Sequence, residues 1–203
     1  ICPYLYVMIR IIVVSYILIL FNFNFGKCQS LLTPFELDSN KTATYYECID
    51  FYRALSRKSN MIHVISGGLS DVSFPIHIVV IDKDGLTDPK DIRNKKRSII
   101  LINNGIHPGE PEGIDASMIF ARKMVLDKAS LDYLNRVTII IIPIYNIGGS
   151  LLRNSTSRVN QNGPIAYGFR GNRQNLDLNR DFIKCDSKNA KTFSNIFNLW
   201  NPD

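Results

Sequence analysis

One of the three histidines, His107, stands three residues before Glu110 in the run Asn103-Asn104-Gly105-Ile106-His107-Pro108-Gly109-Glu110-Pro111-Glu112-Gly113. A neutral ring nitrogen and a carboxylate brought together by a tight turn can share one divalent cation, and that donor pair suits zinc. Pro108 and Gly109 supply such a turn. Taken alone, His-x-x-Glu is a weak signal, since an ordinary polar turn contains the same residues. A second group adds weight. After Tyr145-Asn146-Ile147-Gly148-Gly149 comes a polar stretch with Arg153, Arg158, Arg170, Arg173 and Arg180, closing on Asp177-Leu178-Asn179-Arg180-Asp181-Phe182. Arginines beside an asparagine offer planar donors, and a guanidinium grips a carboxylate through a two-pronged fork. For Arg153 and Arg173 a solvated loop is the simpler expectation.

The elements that must carry these residues follow from hydrophobic periodicity. Thr42 to Lys58 places Tyr45, Ile49, Tyr52 and Leu55 on one face of an amphipathic helix. Met61 to Ile65 reads as a strand ended by Gly67-Gly68, and Phe74 to Ile81 as another ended by the Asp82-Lys83-Asp84-Gly85 turn. Ser98 to Asn103 is a third apolar run. Pro111 to Leu126 reads as a helix with Ile114, Met118, Ala121 and Val125 on its inner side and Pro111 in its first turn. Val137 to Ile144 has the Ile/Val composition of a strand buried on both faces. Two strands joined through a helix by a crossover of more than thirty residues predict parallel neighbours. The expected fold is α/β, with a mixed, largely parallel central sheet flanked by helices. Ligands gather beyond the carboxyl ends of such strands, which is where His107 and the arginine-rich stretch begin.

His107-Pro108-Gly109-Glu110 followed, about seventy residues on, by Asp177-Leu178-Asn179-Arg180-Asp181 resembles the zinc carboxypeptidase family, which includes the pancreatic digestive enzymes. The resemblance runs from about Tyr45 onward and is closest between Ser98 and Lys184. It implies a zinc-dependent hydrolase that removes C-terminal amino acids from peptides or proteins. His107 and Glu110 match the first two zinc ligands, and Asn179 and Arg180 the pair that holds the substrate's terminal carboxylate. Asp177 matches an acid that orients the metal-binding imidazole through its other nitrogen. The arginine that polarises the scissile carbonyl matches Arg158 by its surroundings (Arg158-Val159-Asn160-Gln161-Asn162-Gly163) and Arg170 by its place nine residues before Asn179. Extra residues around Pro164 to Phe169 account for the two alignments, and Arg158 is the first choice.

The family's second His ligand and its general-base Glu fall beyond Asp203. The 203-residue chain is therefore expected to be an N-terminal part of a catalytic domain (residues 31–203), to hold two of three zinc ligands and to be inactive by itself. His63 and His77 precede the motif and are expected to be ordinary strand histidines. Three other readings remain open: a zinc deacylase of the same fold, acting on acylated amino acids or sugars, a non-catalytic relative that binds peptide C-termini, and a structural surface protein anchored by residues 8–25.

The formal charge of +6 does not point to nucleic acid, because Lys and Arg are dispersed and the one cluster, Arg93-Asn94-Lys95-Lys96-Arg97, is expected in a solvated loop. Beyond the leader the cysteines reduce to Cys48 and Cys185, whose redox state the sequence leaves undecided. Met8-Ile9-Arg10, the apolar run from Ile11 to Phe21 and the exit through Gly26 and Cys28 have the form of a signal peptide within a leader over 1–28. An apolar run of about eleven residues falls short of the roughly 20 that span a bilayer, so no stable membrane anchor is expected. Export as a periplasmic or secreted protein, cleaved close to Gln29, is the resulting prediction. N-terminal sequencing of the released protein checks it, and an intact leader in a membrane fraction defeats it.

Overall fold

In the computed structural model, which describes residues 31–203, the two strands richest in Ile and Val form the middle of one sheet. The leader expected over 1–28 lies outside the described residues. The strands are β1 (Ile62–Leu69), β2 (Pro75–Ile81), β3 (Ser98–Asn103) and β4 (Val137–Ile142), in the spatial order β1-β2-β4-β3. The sheet is mixed. β1 pairs antiparallel with β2 and β2 antiparallel with β4, while β3 and β4 form the expected parallel pair, in register from Ser98↔Val137 to Asn103↔Ile142. Central position explains composition: Ile76, Val79, Val80 and Ile81 of β2 and Ile140, Ile141 and Ile142 of β4 are fully buried. Each such side chain contributes about 1.5–3 kcal/mol relative to exposure.

Among the described residues six α-helices accompany the sheet: α1 (Pro34–Leu37), α2 (Tyr45–Ser56), α3 (Pro89–Asn94), α4 (Glu112–Leu126), α5 (Ile147–Leu151) and α6 (Lys188–Trp200). The faces expected from periodicity are the buried ones, Tyr45, Ile49, Tyr52 and Leu55 on α2 and Ile114, Met118, Ala121 and Val125 on α4. Thr44 and Glu47 close a reciprocal capping box at the start of α2. α2 and α4 pack on each other and on β1 and β2, and α4 is the crossover between β3 and β4.

The sequence reading assigned no element after Phe182, whereas α6 occupies that region and packs on β1. It is capped by Ser187, buries Ala190, Ile196 and Trp200, and ends at Asn201 in the left-handed conformation. Its approach also corrects the expected end of β1. The strand runs on through Gly67 and Gly68, with an irregularity between Ser66 and Leu69, because Ile196 and Thr192 of α6 pack against these glycines.

The basic cluster 93–97 is likewise not a solvated loop throughout. Arg97 is buried, donates to both carboxylate oxygens of Asp82 at 3.0 Å and reaches Asp84 at 2.8 Å; Thr138 donates to Asp82 as well. Arg93 pairs with Asp203 at 2.5 Å. Cys48 and Cys185 are both free thiols.

His63 and His77 are strand residues, as expected, on β1 and β2. His77 is 8 % exposed, with Nδ1 3.3 Å from the Tyr45 hydroxyl. Burial, reinforced by the Arg53 charge, pulls its pKa down to about 4. Below pH 6.5 the unfolded chain takes up a proton that the folded chain refuses. Stability is therefore lost as pH falls from about 6.5 to about 4, by on the order of 3 kcal/mol. Urea denaturation across this window should show a flatter profile for His77→Gln than for the unaltered chain. Identical slopes would mean that another group is responsible.

Candidate metal and substrate site

The parallel pair does not separate where the strands end. Asn104 N donates to Ile142 O at 3.0 Å, Tyr145 N to Asn104 O at 2.8 Å, and Asn146 N to Gly105 O at 3.0 Å. The segments leaving β3 and β4 thus stay side by side for several residues. The first turns at once: Glu110 N donates to His107 O at 2.9 Å, and α4 begins two residues later. His107 is 5 % exposed, whereas Glu110 stands at the surface.

Asp177 fixes the imidazole. Its Oδ1 lies 2.9 Å from His107 Nε2, which leaves Nδ1 facing Glu110 Oε1 at 3.5 Å. The same carboxylate accepts the Asn179 backbone N–H at 3.0 Å and the Nε and Nη2 of Arg170 at 3.2 and 3.0 Å. Burial raises the Asp177 pKa, but the bonds from His107, Asn179 and Arg170 together outweigh it and hold the group at about 2. It remains a carboxylate at any physiological pH and can keep accepting from the imidazole. Glu110 meets two guanidinium groups, Arg158 Nη1 at 2.8 Å and Arg170 Nη1 at 3.7 Å.

Two arginines twelve positions apart reach one carboxylate because the intervening loop folds back on itself. Asn154 and Tyr167 form an antiparallel bridge, and the Tyr167 hydroxyl donates to the carbonyl of Ser155 at 2.9 Å. Gly168 N then bonds to Pro108 O at 3.1 Å, and Gln161 Nε2 donates to Gly109 O at 3.0 Å, so the loop is stitched to the His107 turn. Gly109 is needed there: a Cβ on it would lie 2.6 Å from Arg158 Cδ and 2.9 Å from the Gly168 carbonyl. Gly149 is needed in α5 for a related reason. Its Cβ would lie 2.5 Å from Phe169 O and 2.6 Å from Gly171 O, the backbone leading into and out of Arg170. Arg153 departs from expectation. It is partly buried and donates to the carbonyls of Ala43, Thr42 and Ala166, tying the segment before α2 to this loop. Arg173 is exposed, as expected.

Asp177 opens a 3₁₀ turn over Leu178–Arg180. Leu178 is buried, Phe182 stacks on Tyr145 at 6.1 Å, and Asp181 accepts the N–H groups of Asp186 and Ser187, which anchors the turn. Asn179 and Arg180 ride on this turn with exposed side chains, and the Arg180 guanidinium donates to the Asn179 carbonyl at 3.1 Å. Of the expected site residues, His107, Glu110, Asp177, Arg158 and Arg170 therefore form one contact network. Asn179 joins it through its backbone, and the Arg180 side chain lies outside it. Two residues in the network were not singled out from sequence, Gln161 and Asn146. Asn146 carried a usable signal, as an N-cap type a few residues after a buried strand and two before a pair of glycines. Gln161 carried none. His63 and His77 make their bonds elsewhere, to Asn60 O and the Tyr45 hydroxyl.

His107 Nδ1 and Glu110 form a nitrogen–oxygen pair on one side of a buried ring whose other nitrogen is held by a carboxylate. That donor chemistry fits two ligands of a zinc ion. Among the described residues no three His, Cys, Asp or Glu side chains converge closely enough to hold a metal.

A family model described as zinc carboxypeptidase matches residues 48–199. No curated protein sequence matches significantly. Among solved structures, a carboxypeptidase A from Helicoverpa armigera is 22% identical, with a TM-score of 0.50, 60% of this chain covered and 29% of that one. A putative carboxypeptidase from Burkholderia mallei is 17% identical, with a TM-score of 0.60 and coverages of 77% and 36%. Thrombin-activatable fibrinolysis inhibitor is 15% identical, with a TM-score of 0.58 and coverages of 87% and 47%. At these identities the likeness is one of fold, and the chain spans less than half the length of each of the three structures. The match over residues 48–199, on a mixed α/β fold of the same kind, shows that this chain belongs to the zinc carboxypeptidase family.

Proposed function

We propose that this chain is the metal-anchoring part of an exported zinc metallocarboxypeptidase, acting on the C-terminus of peptides or proteins. One observation carries the reading. Asp177 holds His107 by Nε2 and so presents Nδ1 beside Glu110, within reach of two arginines.

Bound zinc would polarise a carbonyl oxygen and acidify a water molecule. The chain's own residues supply the rest. Asp177, kept ionised, fixes the tautomer and angle of His107. Glu110 offers the second donor. A guanidinium from Arg158 or Arg170 stabilises the negative charge that develops on the scissile carbonyl oxygen, where a fixed donor counts most. Asn179 and Arg180 hold the substrate's terminal carboxylate and so select free C-termini. The two arginines at Glu110 differ in their restraint, since Arg170 is forked onto Asp177 while Arg158 pairs with Glu110.

With two donors brought together, the 203-residue chain alone should hold zinc weakly, lose it on dialysis and fail to hydrolyse peptides. Equilibrium titration should show His107→Ala weakening the residual binding at least tenfold. Stoichiometric zinc that survives dialysis of that variant would reassign the ligands, with His63 and His77 the first to test.

Substrate selection is tested on the native gene product. Arg180→Ala should reduce the preference for free over amidated peptide C-termini by about ten- to a hundredfold, the worth of a hydrogen bond to a charged group. Arg158→Ala and Arg170→Ala should separate by kinetics, the carbonyl-polarising residue lowering kcat more than it raises KM. An unchanged preference in Arg180→Ala removes the carboxypeptidase reading in favour of a deacylase of the same fold.

A further inference from the structure

Asn146 is fully buried just beyond β4, and every polar group of its side chain is engaged with a different piece of the site's framework. Nδ2 donates to Ile106 O at 3.3 Å and to Arg170 O at 3.0 Å. Oδ1 accepts the Gly149 N–H at 2.8 Å and caps α5. A carboxamide has two N–H groups and one carbonyl oxygen. The two carbonyl partners require a donor and the Gly149 amide requires an acceptor, so the opposite orientation of the amide would break all three bonds.

The partners are the point. Ile106 immediately precedes His107, and Arg170 carries the guanidinium that reaches both Glu110 and Asp177. We propose that Asn146 is a positioning residue that locks the His107 turn to the Arg170 loop, holding the two sides of the candidate metal site at a fixed spacing. The proposal builds on the functional reading above and adds a residue that touches neither metal nor substrate. Other side chains cannot do the same. Aspartate matches the shape but has no donors and would set a charge against two carbonyls. Serine can cap α5 but cannot span both loops. Glutamine is one methylene too long for a fully buried position whose three bonds are met at the length of asparagine.

The test uses the 203-residue chain with Asn146→Asp and Asn146→Ser, and Ile140→Val in the β4 core as a control for general destabilisation. Amide hydrogen exchange is measured over 104–112 and 166–176, and Zn²⁺ affinity by competition with a chromophoric chelator. Both Asn146 variants should raise exchange in the two segments together, at least tenfold, with α2 and α4 unchanged, and should weaken Zn²⁺ binding at least fivefold. Ile140→Val should lower Tm and leave both readouts alone. Should neither Asn146 variant fold, the unaltered protein still decides. Its Asn146 side-chain amide protons, followed by NMR, should both exchange far more slowly than those of exposed Asn residues.

Fast exchange of those protons overturns the proposal. So does an Asn146 variant that behaves like Ile140→Val in both readouts. Zn²⁺ binding by the unaltered chain too weak to compete with the chelator is what two donors alone would give, and the exchange results would then judge Asn146.

Discussion

The register of β3 on β4 is the constraint on which the site depends. Because the two strands are parallel and in step up to Asn103 and Ile142, their chains leave the sheet at the same level and on the same side. The bonds from Asn104, Tyr145 and Asn146 extend that pairing into the loops. A slip of one residue would turn His107 from its buried position and carry Asn146 away from Ile106. The site is thus less a product of its own loops than of the isoleucines beneath it, whose burial fixes which residue faces which.

Charge is arranged above this base in alternation. Glu110 lies between His107 and two guanidinium groups, and Asp177 lies between the same histidine and one of those guanidiniums. Each carboxylate thereby has more than one cationic or donor neighbour, and Arg170 touches both. Movement of any one of these groups is felt by the others, because their partners are shared.

Local patterns were legible in the sequence to the extent that their physics is local. The inner faces of α2 and α4 follow helical spacing, so residue type and interval were sufficient there, whereas His107, Glu110 and Asp177 were marked out by the family resemblance and not by spacing alone. The choice between Arg158 and Arg170 could not be read in this way. Both reach Glu110 through the path of the loop after Asn154, which is set by contacts to Pro108 and Gly109 far away in the chain. Arg153 and Arg97 looked solvated for the same reason, since the carbonyls and carboxylates that bury them come from Ala43 and Asp82. Gly67 and Gly68 looked like a strand end, because glycine marks turns when nothing distant leans on it. α6 is a different case: Ala190, Phe193, Ile196 and Trp200 fall at helical spacing, so its inner face is legible from residue type and interval alone.

The Arg97–Asp82–Thr138 cluster sits at the opposite end of the same strand pair from His107. Removing Arg97 would strand the buried Asp82 carboxylate, an event that costs about 3–5 kcal/mol. The two ends of β3 and β4 thus differ in how much change they tolerate. One is fastened internally and has little freedom to vary. The other carries exposed polar groups such as Asn179 and Arg180, whose replacement leaves the frame standing. Side chains at that end can therefore change over generations without the fold having to be reinvented.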